Sequence, residues 1–81
     1  MTRVLIVGAG GREHALAWRL SRDRGVDIHA APGNDGILSV GSCHPVPETD
    51  HGALERLCRQ ERIGLVVIGP EAPLAAGTFV A

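Results

Sequence analysis

Three short segments hold the residues best suited to chemistry in this sequence. The first, Gly8-Ala9-Gly10-Gly11-Arg12-Glu13-His14, follows an apolar run and opens a helical pattern. Unpaired N–H groups at a helix N-terminus can hold an anion, glycine lets backbone approach an oxygen, and arginine adds a charge-assisted bond. Gly10, Gly11 and Arg12 therefore read as a phosphate subsite, although a purely structural tight turn accounts for the same glycines. Glu13 stands where a dinucleotide fingerprint wants its third glycine. A carboxylate there crowds a pyrophosphate, whereas a smaller phosphosugar can use it as a hydroxyl or amine partner. The second segment is Pro32-Gly33-Asn34-Asp35-Gly36. In it Asn34 either contacts a ligand or takes a left-handed turn conformation. The third is Gly69-Pro70-Glu71, where the carboxylate either accepts bonds from hydroxyl or ammonium groups of a ligand or stabilises a helix N-terminus.

Other reactive side chains have plainer readings. His14 can meet a phosphate or simply pack in the first turn of a helix. Cys43, His44, His51 and Cys58 have adjacent Cys and His and then gaps of six residues, which do not match zinc-ligand spacing, so no metal site is expected. Cys58 reads as a small core residue and Trp18 as a packing residue of an amphipathic helix.

The elements that must position these groups follow from hydrophobic period. Val4-Leu5-Ile6-Val7, closed by Gly8, predicts a strand buried on both faces of a parallel sheet. Apolar residues from Arg12 to Arg22 predict a helix with Gly25 as its stop, and Val26 to Ala31 a shorter strand. Ile37 to Val40 fits a helical turn or a short strand, and Cys43-His44-Pro45-Val46-Pro47 is too rich in proline for an interior strand. Thr49 is the expected cap of a second helix that turns Leu54, Leu57 and Cys58 to the sheet and ends at Gly64. Leu65 to Ile68 repeats the first strand, and Pro73 opens a further helix whose first turns run to Ala81, as though cut within the element. The alternation predicts an α/β fold, a Rossmann-like open parallel sheet. Ligands of such sheets bind outside the carboxyl ends of the strands, where the loops 8–14, 32–36 and 69–74 meet.

Composition narrows the function classes. A chain of 81 residues is about half of a common ~150-residue domain, so it is one domain or part of one. Eight basic and nine acidic side chains leave a net charge of -1, with Phe79 and Trp18 as the only aromatics. That balance supplies neither attraction to a nucleic-acid backbone nor a base-stacking surface. All the basic residues are arginine, which excludes Schiff-base and Walker-type lysine chemistry. No apolar run is long enough to cross a bilayer or serve as a signal peptide, and the expectation is a cytoplasmic chain with reduced thiols.

Taken together, Gly8-Ala9-Gly10-Gly11-Arg12-Glu13-His14-Ala15-Leu16-Ala17-Trp18, Ala31-Pro32-Gly33-Asn34-Asp35-Gly36 and Val67-Ile68-Gly69-Pro70-Glu71-Ala72-Pro73-Leu74 resemble the phosphoribosylamine-glycine ligases, or glycinamide ribonucleotide synthetases. The resemblance runs from Met1 to Ala81, with 37–48 matching loosely and Gly64 replacing an acidic residue common in relatives. It implies that residues 1–81 are a partial N-terminal, substrate-side domain, a Rossmann-like sheet that precedes an ATP-grasp module absent from this chain. The family joins glycine to 5-phosphoribosylamine in purine biosynthesis, using ATP with Mg2+ or Mn2+ and passing through a glycyl phosphate. By the same resemblance Gly10, Gly11, Arg12, Glu13, Asn34 and Glu71 are substrate-binding positions, and no catalytic or metal-binding residue falls in this chain. The 81-residue chain alone is then expected to be inactive, its partners being the sugar substrate and the missing module.

Two other classes compete. A dinucleotide-binding module of an oxidoreductase explains the same strand-turn-helix, but the second strand ends in His29-Ala30-Ala31 where a ribose-binding acid is required. A non-enzymatic regulatory or interaction domain is the default for a small α/β fold without its catalytic partner.

Overall fold

The computed structural model describes residues 2–68. The expected Glu71 loop and the helix opening at Pro73 lie outside the described residues. The elements are β1 (Thr2–Gly8), α1 (Gly11–Ser21), β2 (Val26–Pro32), α2 (Asp35–Leu38), β3 (Ser42–Cys43), α3 (His51–Gln60) and β4 (Leu65–Ile68). Every pairing is parallel and the strand order is β3-β2-β1-β4. The α/β open parallel sheet expected from the alternation is the observed fold.

The continuous apolar run of β1 is explained by its central place in the sheet. Side chains alternate faces along a strand, so Val4 and Ile6 enter one core with Ile28, Ala30, Ala17 and Ile37. Leu5 and Val7 enter the other with Ala31, Leu54 and Leu57. Helices α1 and α2 cover the first face and α3 covers the second. Crossovers of one hand that run in opposite directions across a sheet must lie on opposite faces, which is what the path β1-β2-β3 followed by a return to β4 requires. The reversal places a topological switch between β1 and β4, at the carboxyl end of the sheet.

Local corrections to the sequence reading have identifiable causes. Helix α3 is capped by Asp50, whose Oδ1 accepts from the Ala53 N–H at 3.1 Å, while Thr49 precedes it and is exposed. A cap must reach the N–H three residues on, and Asp50 holds that place. The helix does not run to Gly64. Ile63 N–H donates to Cys58 O at 2.9 Å and Arg62 N–H to Arg59 O at 3.4 Å, the paired bonds of a Schellman ending, with Arg62 itself in the left-handed region at φ 53. Gly64 instead donates to Arg3 O at 2.8 Å as the chain enters β4. Trp18 is not packed but 50% exposed, with the Arg22 guanidinium 5.0 Å from its ring centroid. The buried stripe of α1 is Glu13, Leu16, Ala17 and Leu20, and Trp18 follows Ala17 by ~100° of helix rotation.

Residues 37–48 divide into a helical turn and an edge strand. Ile37 is buried within α2, and β3 stops at Cys43, before the prolines that could not donate to a ladder. Cys58 lies partly buried against the second core, where burial, then the neighbouring Glu55 carboxylate, pushes its thiol pKa up. Among the described residues no helix is long and apolar enough to cross a membrane.

Candidate functional site

The loop between β1 and α1 is shaped around Glu13. Gly8 is buried with φ 139, and a Cβ on it would lie 2.5 Å from Glu13 Oε1 and 2.8 Å from Cδ. A Cβ on Gly10 would lie 3.0 Å from Oε2. The carboxylate thus fills the hollow of the loop, and Glu13 is only 4% exposed. Its Oε2 has no hydrogen-bond partner among the described residues, an arrangement that buried polar atoms rarely keep without a functional reason. Gly10 caps α1 in extended conformation and supplies no side-chain cap, so among the described residues no side chain bonds the first-turn N–H groups. The N-terminus of α1 therefore presents both free donors and a buried acceptor at the switch point.

A second loop is bonded to the first. Gly33 takes φ 74, and a Cβ there would come 2.5 Å from Cys43 Sγ, so this left-handed position belongs to Gly33 and not to Asn34. Gly33 N–H donates to Gly8 O at 3.0 Å. Asn34, extended at φ -154, donates from Nδ2 to Ala9 O at 2.7 Å and to Gly10 O at 3.2 Å. Its Oδ1 accepts from Ile37 N–H at 2.9 Å, capping α2. Both amide protons are committed, and the pattern admits only one orientation of the amide.

An open depression of about 530 Å3 is lined by Ala9, Gly10 and Glu13 of the first loop together with Pro32, Pro47, Glu48 and Thr49. The loop pattern did not point to Pro47, Glu48 and Thr49, since 37–48 lacked a clear period; their signal is topological, because any segment leaving the carboxyl end of a parallel strand borders this edge. Gly11 and Arg12 follow Gly10 in the chain and are exposed. The structure thus gathers Gly10, Gly11, Arg12 and Glu13 at one edge, with Asn34 behind them, while Glu71 lies outside the described residues. His14 packs between helices, since a Cβ on Gly36 would come 2.5 Å from its ring.

A polar string on the α3 face was not legible from motif spacing. His29 is 5% exposed, with Nε2 3.1 Å from Asp27 Oδ2 and Nδ1 2.9 Å from His44 Nε2. The carboxylate makes Nε2 the donor to Asp27, and Nδ1 shares the second bond with His44 Nε2. Asp27 also pairs with Arg3 at 3.6 Å. These contacts satisfy a buried imidazole and bind the amino end of β2 to β1.

Comparison with known proteins agrees with this geometry. The chain matches the family described as phosphoribosylglycinamide synthetase, N domain, over residues 2–80. It is 44% identical over 75 residues to the phosphoribosylamine-glycine ligase of Halalkalibacterium halodurans, covering 91% of this chain and 18% of that protein. It is 51% identical over 78 residues to the trifunctional purine biosynthetic protein adenosine-3 of Gallus gallus, covering 93% of this chain and 8% of that protein. The crystal structure of the Thermotoga maritima phosphoribosylamine-glycine ligase superposes with a TM-score of 0.68 at 32% identity, over 88% of this chain and 16% of that one. The chain spans less than a fifth of the length of these relatives. A glycine loop built around a buried carboxylate at the switch of a parallel sheet, together with a match along nearly the whole chain, shows that it belongs to the phosphoribosylglycinamide synthetase N-domain family.

Proposed function

We propose that this chain is the substrate-side domain of an ATP-dependent phosphoribosylamine-glycine ligase of purine biosynthesis, and that it binds 5-phosphoribosylamine. The observation that carries the reading is Glu13, a buried carboxylate with one oxygen that has no partner among the described residues, at the N-terminus of an eleven-residue helix without a side-chain cap. An anion and a hydroxyl or amine on one small molecule would satisfy both halves of that arrangement. The phosphate belongs at the exposed Gly11 and Arg12 side, away from the Glu13 carboxylate, with Gly10 N–H beside it. The sugar hydroxyls or the amine belong at Glu13 Oε2. Asn34 supports this edge from behind, and Glu71 is the further candidate for the sugar or amine.

The domain's contribution to the reaction is positioning. In the complete ligase the substrate amine attacks the carbonyl of a glycyl phosphate, forming the amide of glycinamide ribonucleotide and releasing phosphate. Holding the amine in place converts that encounter into an intramolecular one. The proposal gives this chain the sugar substrate and leaves ATP and Mg2+ to the rest of the ligase. Those contacts belong to an ATP-grasp module of the same polypeptide, and the reading implies a cytoplasmic enzyme.

The dinucleotide alternative has little to stand on. Glu13 occupies the hollow that a pyrophosphate would approach, and Asp27, the one acid of β2, is committed to Arg3 and His29 at the strand's amino end. The test is steady-state kinetics of the complete ligase carrying this domain. Glu13→Gln should raise KM for phosphoribosylamine by roughly tenfold or more, with KM for glycine and ATP unchanged. An unchanged KM for phosphoribosylamine would remove Glu13 from the site.

A further inference from the structure

We propose that Asn34 is a positioning residue: by holding the Ala9 and Gly10 carbonyls it aims the Gly10 and Gly11 N–H groups at the substrate anion. This inference rests on the function proposed above. A trans peptide is planar, so its carbonyl and N–H point in opposite directions. Ala9 O is drawn to Asn34 Nδ2 at 2.7 Å, which turns the Gly10 N–H of the same peptide away from Asn34 and α2. Gly10 O takes the second amide proton at 3.2 Å and also the His14 N–H at 3.1 Å. The Gly11 N–H is thereby directed out of the N-terminus of α1. A glycine-containing loop has no side chain to enforce these peptide orientations, and Gly10 has no side-chain cap of its own.

Asn34 is itself anchored from three sides, which makes it a fixed strut. Its Oδ1 accepts from Ile37 N–H at 2.9 Å, its carbonyl accepts from Cys43 Sγ at 3.5 Å, and the preceding Gly33 N–H donates to Gly8 O at 3.0 Å. The side chain therefore acts through the loop and not by touching ligand. Few other side chains could do both jobs. Aspartate and serine cap α2 as well as asparagine does, but aspartate offers two oxygens where the loop needs two donors, and serine is too short to reach across.

The experiment compares Asn34→Asp and Asn34→Ser with wild type in the complete ligase. Both variants should melt within a few degrees of wild type, because the α2 cap survives. Both should raise KM for phosphoribosylamine by roughly ten- to hundredfold, the loss expected for hydrogen bonds to a charged group, while kcat and KM for glycine and ATP stay near wild type. Backbone order parameters at Ala9, Gly10 and Gly11 should fall in the serine variant. A KM unchanged in both variants overturns the inference. So does an effect confined to aspartate, which would mark charge repulsion, or a parallel loss in every kinetic constant, which would mark general damage. If the wild-type protein lacked ligase activity, the functional reading would fail on its own. The order parameters of the serine variant would then decide the positioning claim: a fall supports it and unchanged values overturn it.

Discussion

Substituting Gly8 by alanine tests whether the first loop is built around Glu13. Two costs arise at this one atom. The backbone at φ 139 is a conformation that L side chains rarely adopt, worth about 1–3 kcal/mol of strain. The new Cβ would also lie 2.5 Å from Oε1 and 2.8 Å from Cδ and Cγ of Glu13, forcing a buried side chain to move, at about 1–3 kcal/mol for overpacking. Together they destabilise by on the order of 3 kcal/mol, or ~12–24 °C in Tm for a domain of this size. Urea unfolding followed by circular dichroism measures the change. The double variant Gly8→Ala/Glu13→Ala separates the two terms, because it keeps the strain and removes the collision. Glu13→Ala alone should change stability by less than about 1 kcal/mol, since lost packing is offset by removal of a buried oxygen that has no partner among the described residues. The coupling energy of the cycle should therefore be about 1–2 kcal/mol in favour of the double variant. Coupling within ~0.5 kcal/mol of zero, or an alanine at position 8 that leaves stability unchanged, would refute the account of this loop.

Other predictions concern the frame. Arg62→Gly should stabilise by roughly 0.5–1 kcal/mol, because Arg62 holds φ 53 at the position where a Schellman ending favours glycine; a urea midpoint at or below wild type would contradict it. Asp50→Ala should destabilise by about 1 kcal/mol through loss of the α3 cap, read from the same midpoint, whereas Thr49→Ala should be near neutral. The raised pKa of Cys58 carries a sign that can be checked. A thiol whose folded pKa lies above its unfolded value favours folding below the unfolded pKa, and that contribution is lost as pH rises through the folded pKa. Cys58 should thus alkylate with an alkaline midpoint above the usual thiol range, Cys58→Ala should remove that step, and a midpoint at or below that range would contradict it.

What was legible in the sequence divides along physical lines. Val4–Val7 and Leu65–Ile68 are apolar without interruption because the strands they form, β1 and β4, send side chains into the cores on both faces of the sheet, and local composition records that directly. The buried stripe of α3 was equally plain, since Leu54, Leu57 and Cys58 share one helical face. Trp18 illustrates the limit: an aromatic residue in an amphipathic helix is buried only if its angle matches the stripe, and one residue of offset turns it outward. Thr49 and Asp50 are both capping types, so only the bond to Ala53 distinguishes them. Arg62 in a left-handed position leaves no local signature, because tertiary packing of Ile63 imposes it. At the site, the glycines and Glu13 were visible as a motif, but that Gly8 and Gly10 make room for the Glu13 carboxylate was not. Asn34 was singled out, yet its bonds to Ala9 and Gly10 cross 25 and 24 residues of sequence. The wall at Pro47–Thr49 depends on the same kind of long-range approach.

The most direct test of the central claim is a nitrogen-proton correlation titration of the chain with glycinamide ribonucleotide, run beside Glu13→Gln and beside NADH. The account predicts saturable shifts centred on Gly10, Gly11, Arg12 and Glu13, weakened in Glu13→Gln, and none with NADH. Shifts with NADH at the same loop, or a response to glycinamide ribonucleotide that Glu13→Gln leaves intact, would contradict it.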